Sequence, residues 1–230
     1  MTPSLLPMLK SLLKRLIRGK YHGLNQLDRK MEKYLDHDGG FYVELGANDG
    51  VSQSNTLYFE KHRGWKGVLI EPAPHNYLKC RANRSAANRI HCAACVSFGF
   101  DREFVRIAYS NLMSTPMGLA TDIADPMAHA RSGRQFLGKE EDVFEYGAVA
   151  RTLNDLLIES GAPARIDFLS LDVEGAELEV LRGVDHAAYR FKYLLVECRD
   201  FERMNTFLQG VQYRFVENLS PHDYLFRSEV

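Results

Sequence analysis

A chain of 230 residues is long enough to bury one substantial core and too short for two large domains joined by a long linker. With 45% apolar and 26% charged residues it is not a disordered or fibrous chain, and a net charge of −1 supplies no field for a nucleic-acid partner. Four cysteines in a chain with this much core material argue against a disulfide framework and fit a cytoplasmic location.

Residues 1–38 read as a basic, helical, amphipathic extension. Within its first twenty residues, Lys10, Lys14, Arg15, Arg18 and Lys20 accompany Leu5, Leu9, Leu12, Leu13, Leu16 and Ile17 at helical spacing. Lysines cut the apolar stretch and Arg18-Gly19-Lys20 follows it, so it reads as retained rather than as a cleaved leader. Two roles are open for it: peripheral contact with the inner face of a membrane, or packing against its own domain or a second copy of the chain.

From residue 39 onward the pattern is that of a single domain. FYVEL (41–45), GVLIE (67–71), RIHCA (89–93), IDFLSLD (166–172) and YLLVE (193–197) are strands apolar enough to be buried on both faces. Helices are expected near 54–63, 74–84, 152–160, 176–182 and 200–209, which gives an α/β fold: a doubly wound, mostly parallel sheet with helices on both faces. VQYRFVEN (211–218) and DYLFR (223–227), separated by Ser220-Pro221, read as a closing hairpin. Residues 98–150 break the alternation after a short strand at 103–109. An insert of this length is read as an acceptor-binding lid.

The chemistry concentrates at the ends of strands. Glu44-Leu45-Gly46-Ala47-Asn48-Asp49-Gly50 follows the first strand, and Gly46 and Gly50 allow a sharp turn and a close backbone approach to a ligand. Glu71 ends the second strand, where such sheets place a carboxylate beside a nucleoside ribose. The dinucleotide fingerprint is absent and Glu44 would repel a pyrophosphate, so a cationic sulfonium cofactor fits better than NAD. Asp172 and Glu174, in LDVEGAE (171–177), end a later strand and face the same crevice once the chain turns at Gly175; Glu177 reads as a helix-capping acid. Cys92-x-x-Cys95 stands alone and reads as two small buried hydrophobes rather than a zinc or redox pair.

FYVELGANDGVSQSNT, GVLIEPAPHNYLKC, IDFLSLDVEGAELEVLRGV and YLLVECR together resemble the FkbM-type branch of the class I S-adenosylmethionine-dependent methyltransferases. The resemblance covers about residues 41–200 and leaves out the N-terminal extension and much of the insert. It implies a Rossmann-like sheet of seven strands and O-methylation of sugars or secondary metabolites. By that analogy Glu44, Gly46, Ala47, Asn48 and Gly50 surround the methionine part of S-adenosylmethionine and Glu71 the ribose. Ser54, Asn55 and Thr56, at the start of the next helix, have two readings: they bind the cofactor carboxylate through hydroxyl, amide and backbone N–H groups, or they are ordinary N-capping residues.

An alcohol must lose its proton to attack a methyl group, so a base is needed within hydrogen-bond reach of the acceptor. Asp172 and Glu174 are the leading candidates, and Glu197 stands beside them to orient the acceptor or to pair with Arg199. Three carboxylates also suit a hard divalent cation, but the resemblance establishes none, so no metal ligand is assigned. The expected partner is a hydroxylated small molecule or glycan. A non-catalytic nucleoside-binding or membrane-associated module is the alternative, and it predicts cofactor binding without transfer.

Overall fold

The computed structural model describes residues 20–230; apart from Lys20, the basic helix expected in the first twenty residues lies outside them. In chain order the strands are β1 (Phe41–Leu45), β2 (Lys66–Ile70), β3 (Arg89–His91), β4 (Ala94–Val96), β5 (Phe104–Tyr109), β6 (Thr115–Met117), β7 (Phe144–Thr152), β8 (Arg165–Leu171), β9 (Arg190–Glu197), β10 (Tyr213–Asn218) and β11 (Asp223–Ser228). The α-helices are α1 (Leu27–Met31), α2 (Leu57–Arg63), α3 (Pro74–Asn83), α4 (Pro126–Ser132), α5 (Leu153–Glu159), α6 (Glu177–Leu181) and α7 (Phe201–Gly210). Among the described residues no helix is long and apolar enough to cross a membrane.

Seven strands form the main sheet in the order β10-β11-β9-β8-β1-β2-β3. It is a mixed α/β sheet, parallel as expected in the pairings among β1, β2, β3, β8 and β9 and antiparallel at one edge. β11 runs antiparallel to both β9 and β10, because the turn at 219–222 sends the chain straight back beside its predecessor. The strand order reverses between β1 and β8, and the carboxyl ends of those two strands open the crevice in which α/β sheets bind ligands.

Strand periodicity divides the core. Val43 and Leu45 join one cluster with Leu153, Leu156, Val180 and Met204, while Tyr42 joins the other with Leu27, Met31, Leu35, Phe59 and Trp65. Leu27, Met31 and Leu35 are thus built into the core although they precede residue 39.

The insert is ordered as a second sheet, β4-β7-β5-β6, together with α4 and two short 3-10 turns. β5 matches the strand expected at 103–109, whereas β7 has no counterpart in the sequence reading. Gly147 and the exposed Phe144 and Val149 break its polar-apolar alternation. The strand expected over 89–93 is divided: 89–91 stay in the main sheet, and the chain then crosses to begin the second one at Ala94. All four cysteines are free, and burial pushes the Cys80, Cys95 and Cys198 thiols up to about 12, consistent with inert packing.

Candidate functional site

A cavity of about 290 Å³ lies at the carboxyl edge of the main sheet, between the ends of β1, β2, β8 and β9 and the underside of the insert. Gly46, Asn48, Asn55, Glu71, Asp172, Glu174 and Glu197 all line it. Of the positions singled out in the sequence, Glu44, Ala47, Gly50 and Ser54 do not.

Glu44 is the clearest departure. It projects to the same sheet face as Tyr42, away from the strand's end, and its carboxylate is buried beneath the segment leading into α2. There it accepts hydrogen bonds from the Ser54 hydroxyl (3.0 Å), the Asn55 N–H (2.9 Å), the Thr56 hydroxyl (2.6 Å) and Arg84 Nη1 (3.1 Å). Ser54 and Thr56 are occupied by the same network. Ser54 Oγ also accepts from the Leu57 N–H, so α2 begins at Leu57 rather than at 54. Gly50 serves this network as well: a Cβ there would lie 2.8 Å from Arg84 Cγ, so the glycine clears a path for the arginine stem. Ala47 is small, buried and part of the core.

Gly46 belongs to the cavity wall, at φ +77°, and a Cβ would sit 2.0 Å from the Asp172 carbonyl oxygen. The turns after β1 and β8 therefore touch through backbone alone. Replacing Gly46 with Val is expected to cost about 2–6 kcal/mol through this clash and the positive φ. A thermal melt unchanged by the substitution would contradict the close approach.

Glu71 accepts the Asn48 N–H (2.8 Å) and the Ala73 N–H (2.9 Å), one on each oxygen. Burial pushes its pKa up to about 7 in spite of these two donors.

At the other end of the cavity four acids meet one arginine. Burial, together with the charges of Glu197 and Glu174, pushes the Asp172 pKa well above its ordinary value; Glu197 is raised as well, by burial and by Glu174. The two carboxyls therefore oppose each other's ionisation, which disfavours the form of Asp172 that a base requires. Glu174 has hydrogen-bonding partners instead: His129 Nε2 at 2.7 Å and the Arg199 guanidinium Nη2 at 3.3 Å, both on Oε2. Arg199 also lies 3.7 Å from Glu197, as the sequence reading allowed. Asp223 completes the acidic wall. Glu177 is fully engaged locally, accepting the Val173 and Gly175 N–H groups at 3.0 Å each and so holding the turn after β8.

His129 was not anticipated. It comes from α4 in the insert, where Asp125 caps the helix by accepting the Ala128 N–H and Pro126 occupies the first turn. That Asp-Pro pair signals a helix start, but nothing local indicates which residue the helix will face. His75, by contrast, bonds Tyr109 and stays outside the cavity wall, as does His222. Among the described residues no group of three acidic, histidine or cysteine side chains is arranged to hold a metal ion.

Four of the residues with positive φ other than glycine, Asn48, Gln53, Asn111 and Glu174, line this one cavity. Backbone held in such conformations concentrates at ligand sites. Together with its position at the strand-order reversal, this defines an α/β domain with a candidate ligand cavity at the carboxyl edge of its main sheet.

The sequence profile of the methyltransferase FkbM domain matches residues 44–215, most of the chain, and the protein belongs to that family. Methyltransferase 1 from Beauveria bassiana (strain ARSEF 2860) is 28% identical over 152 residues, which span 64% of this chain and 59% of that protein. Methyltransferase sdnD from Sordaria araneosa is 26% identical over 193 residues, 73% of each. Among solved structures, the FkbM methyltransferase of Methylobacillus flagellatus KT covers 88% of this chain and 53% of its own at 13% identity, with a TM-score of 0.49. A human methyltransferase 10 domain containing protein covers 88% and 80% at the same identity, with a TM-score of 0.47.

Proposed function

We propose that this chain binds S-adenosylmethionine in the carboxyl-edge cavity and transfers its methyl group to a hydroxyl oxygen of a sugar, glycan or secondary metabolite. The observation that carries the reading is the charge of the cavity wall. Five acids, Glu71, Asp172, Glu174, Glu197 and Asp223, face one cation, Arg199. Such a wall favours a sulfonium with its ammonium group and opposes the pyrophosphate of a nicotinamide dinucleotide.

The residues present fit that cofactor. Each Glu71 oxygen accepts a single backbone N–H, which leaves a lone pair apiece for the two ribose hydroxyls. Asn55 Oδ1 is buried without a partner and suits an ammonium donor. Gly46 presents bare backbone. Bound S-adenosylmethionine supplies an electrophilic methyl carbon.

The chain's own residues prepare the acceptor. Glu174, held by His129 and Arg199 on Oε2, offers Oε1 to an acceptor hydroxyl and takes its proton as the oxygen becomes methylated. Asp172 and Glu197, which both line the cavity, have a hydrogen-bonding role toward the acceptor or its neighbouring hydroxyls. Docking of α4 against Glu174 shields this end from water.

Calorimetric titration with S-adenosylhomocysteine, with NAD as comparison, tests the reading. Micromolar binding of the former alone supports it, and a folded chain that binds neither overturns it.

Glu71 adds a pH signature. Its folded pKa lies above its ordinary value of 4.5, so the carboxyl stabilises the fold only in its protonated form; that contribution is full below about 4.5 and is lost as pH rises through about 7. Ribose hydroxyls that donate to it favour the ionised form, so binding releases a proton. Affinity for S-adenosylhomocysteine should rise by up to about tenfold from pH 6 to pH 8. Glu71→Gln should flatten that slope, and Glu71→Ala should weaken binding by about 1–3 kcal/mol. A slope that survives Glu71→Gln would assign the proton to another group.

A further inference from the structure

Four residues of the cavity wall are joined by hydrogen bonds that run from the main sheet into the insert. The Asn48 backbone N–H donates to Glu71 at 2.8 Å, Asn48 Nδ2 donates to Asn111 Oδ1 at 2.9 Å, and Asn111 Nδ2 donates to the Phe136 carbonyl at 2.9 Å. Asn111 opens a 3-10 turn directly after β5, and its own carbonyl accepts from the Ser114 N–H and hydroxyl. Both asparagines have left-handed backbone, with φ of +46° at Asn48 and +53° at Asn111. Asparagine tolerates that region better than most side chains, and here it also supplies the donor and acceptor that join the two turns. Leu112, Met113, Ser114 and Pro116, which follow, line the cavity too.

We propose that Asn111 is a cofactor-positioning residue: it fastens the segment 110–117 of the insert onto the Asn48 turn, so that the insert walls the end of the cavity holding Glu71. This rests on the S-adenosylmethionine reading above, and it gives the insert a cofactor role besides that of an acceptor lid. Asn48 holds Glu71 through its backbone and Asn111 through its side chain. A cofactor at Glu71 therefore leaves only after this fastening opens or the segment moves with it.

The test uses S-adenosylhomocysteine as the probe, with affinity from calorimetry and release rate from stopped flow. Asn111→Gly keeps the left-handed backbone free of strain and removes the side-chain bonds to Asn48 and to the Phe136 carbonyl. It should weaken binding about tenfold, chiefly through faster release, with the melting temperature of the unliganded chain little changed. Asn111→Asp retains the acceptor for Asn48 and should recover most of the affinity. The double variant Asn48→Gly with Asn111→Gly should bind no worse than the weaker of the two singles, because both remove the bridge between these two side chains without straining the left-handed backbone. Binding by Asn111→Gly within twofold of the unmodified chain, or additive losses in the double variant, would overturn the proposal while leaving the cofactor reading intact. An unmodified chain that binds no S-adenosylhomocysteine would overturn the cofactor reading itself.

Discussion

Arg84→Met should lower the stability of the domain by about 3–5 kcal/mol, the range for removing one partner of a buried ion pair. The Arg84 side chain is 0% exposed, and its partners Glu44 and Glu60 are 5% and 9% exposed. It donates to Glu60 at 2.7 Å, Glu44 at 3.1 Å, the Tyr42 hydroxyl at 2.7 Å, the Thr56 hydroxyl at 2.8 Å and the Gly50 carbonyl at 3.2 Å. Burial alone would oppose the guanidinium charge, but Glu44, Tyr42 and Glu60 outweigh it and hold its pKa above the ordinary value. Methionine fills much of the volume and leaves two buried carboxylates uncompensated. For a chain of this size the loss corresponds to a melting temperature lower by about 6–20 °C. Adding Glu60→Gln should recover part of it by removing one orphaned charge. A single variant that melts within 2 °C of the parent would show that water or rearrangement satisfies Glu44 and Glu60 without the arginine.

The second large effect is on turnover. With a hydroxylated acceptor in hand, Glu174→Gln should lower kcat by about 10²–10⁴-fold, the usual contribution of a positioned base. Affinity for S-adenosylhomocysteine should change little, because glutamine keeps the shape of the side chain and its contact with His129. Asp172→Asn should cost less, since burial and the neighbouring Glu197 and Glu174 disfavour the ionised form that a base requires. Equal rates for Glu174→Gln and the parent would favour the non-catalytic module or a different base. A larger loss at Asp172 than at Glu174 would exchange their roles.

The strands of the main sheet were legible because each is a short apolar run with a turn signal at its end, and Phe41–Leu45 was read to the residue. The residues at the ends of β2, β8 and β9 were legible for the same reason, since a strand's carboxyl end states which residues the crevice receives. Glu44 was misplaced because its fate depends on Arg84, forty residues later, and on the parity that turns it toward the Tyr42 face. His129 and Asn111 were invisible: each acts through a partner brought near only when the insert folds over the sheet. β7 was missed because its outward face carries Phe144 and Val149, which blur the alternation on which strand recognition relies.

The pairing of β4 with β7 places the start and finish of the insert side by side, with Ala94 opposite Ala150 and Val96 opposite Thr152. The segment from 97 to 149 therefore leaves and rejoins the domain at one seam, besides its side-chain ties to Asn48, His75 and Glu174. Because its ends adjoin, the segment can be exchanged as one piece: on the proposed reading, a graft from a relative at this seam would change the wall over the acceptor, and it would keep the Glu71 end intact only by restoring the bridge to Asn48 and the lining at 112–116. Substrate range can thus diversify by transplanting one contiguous stretch of chain.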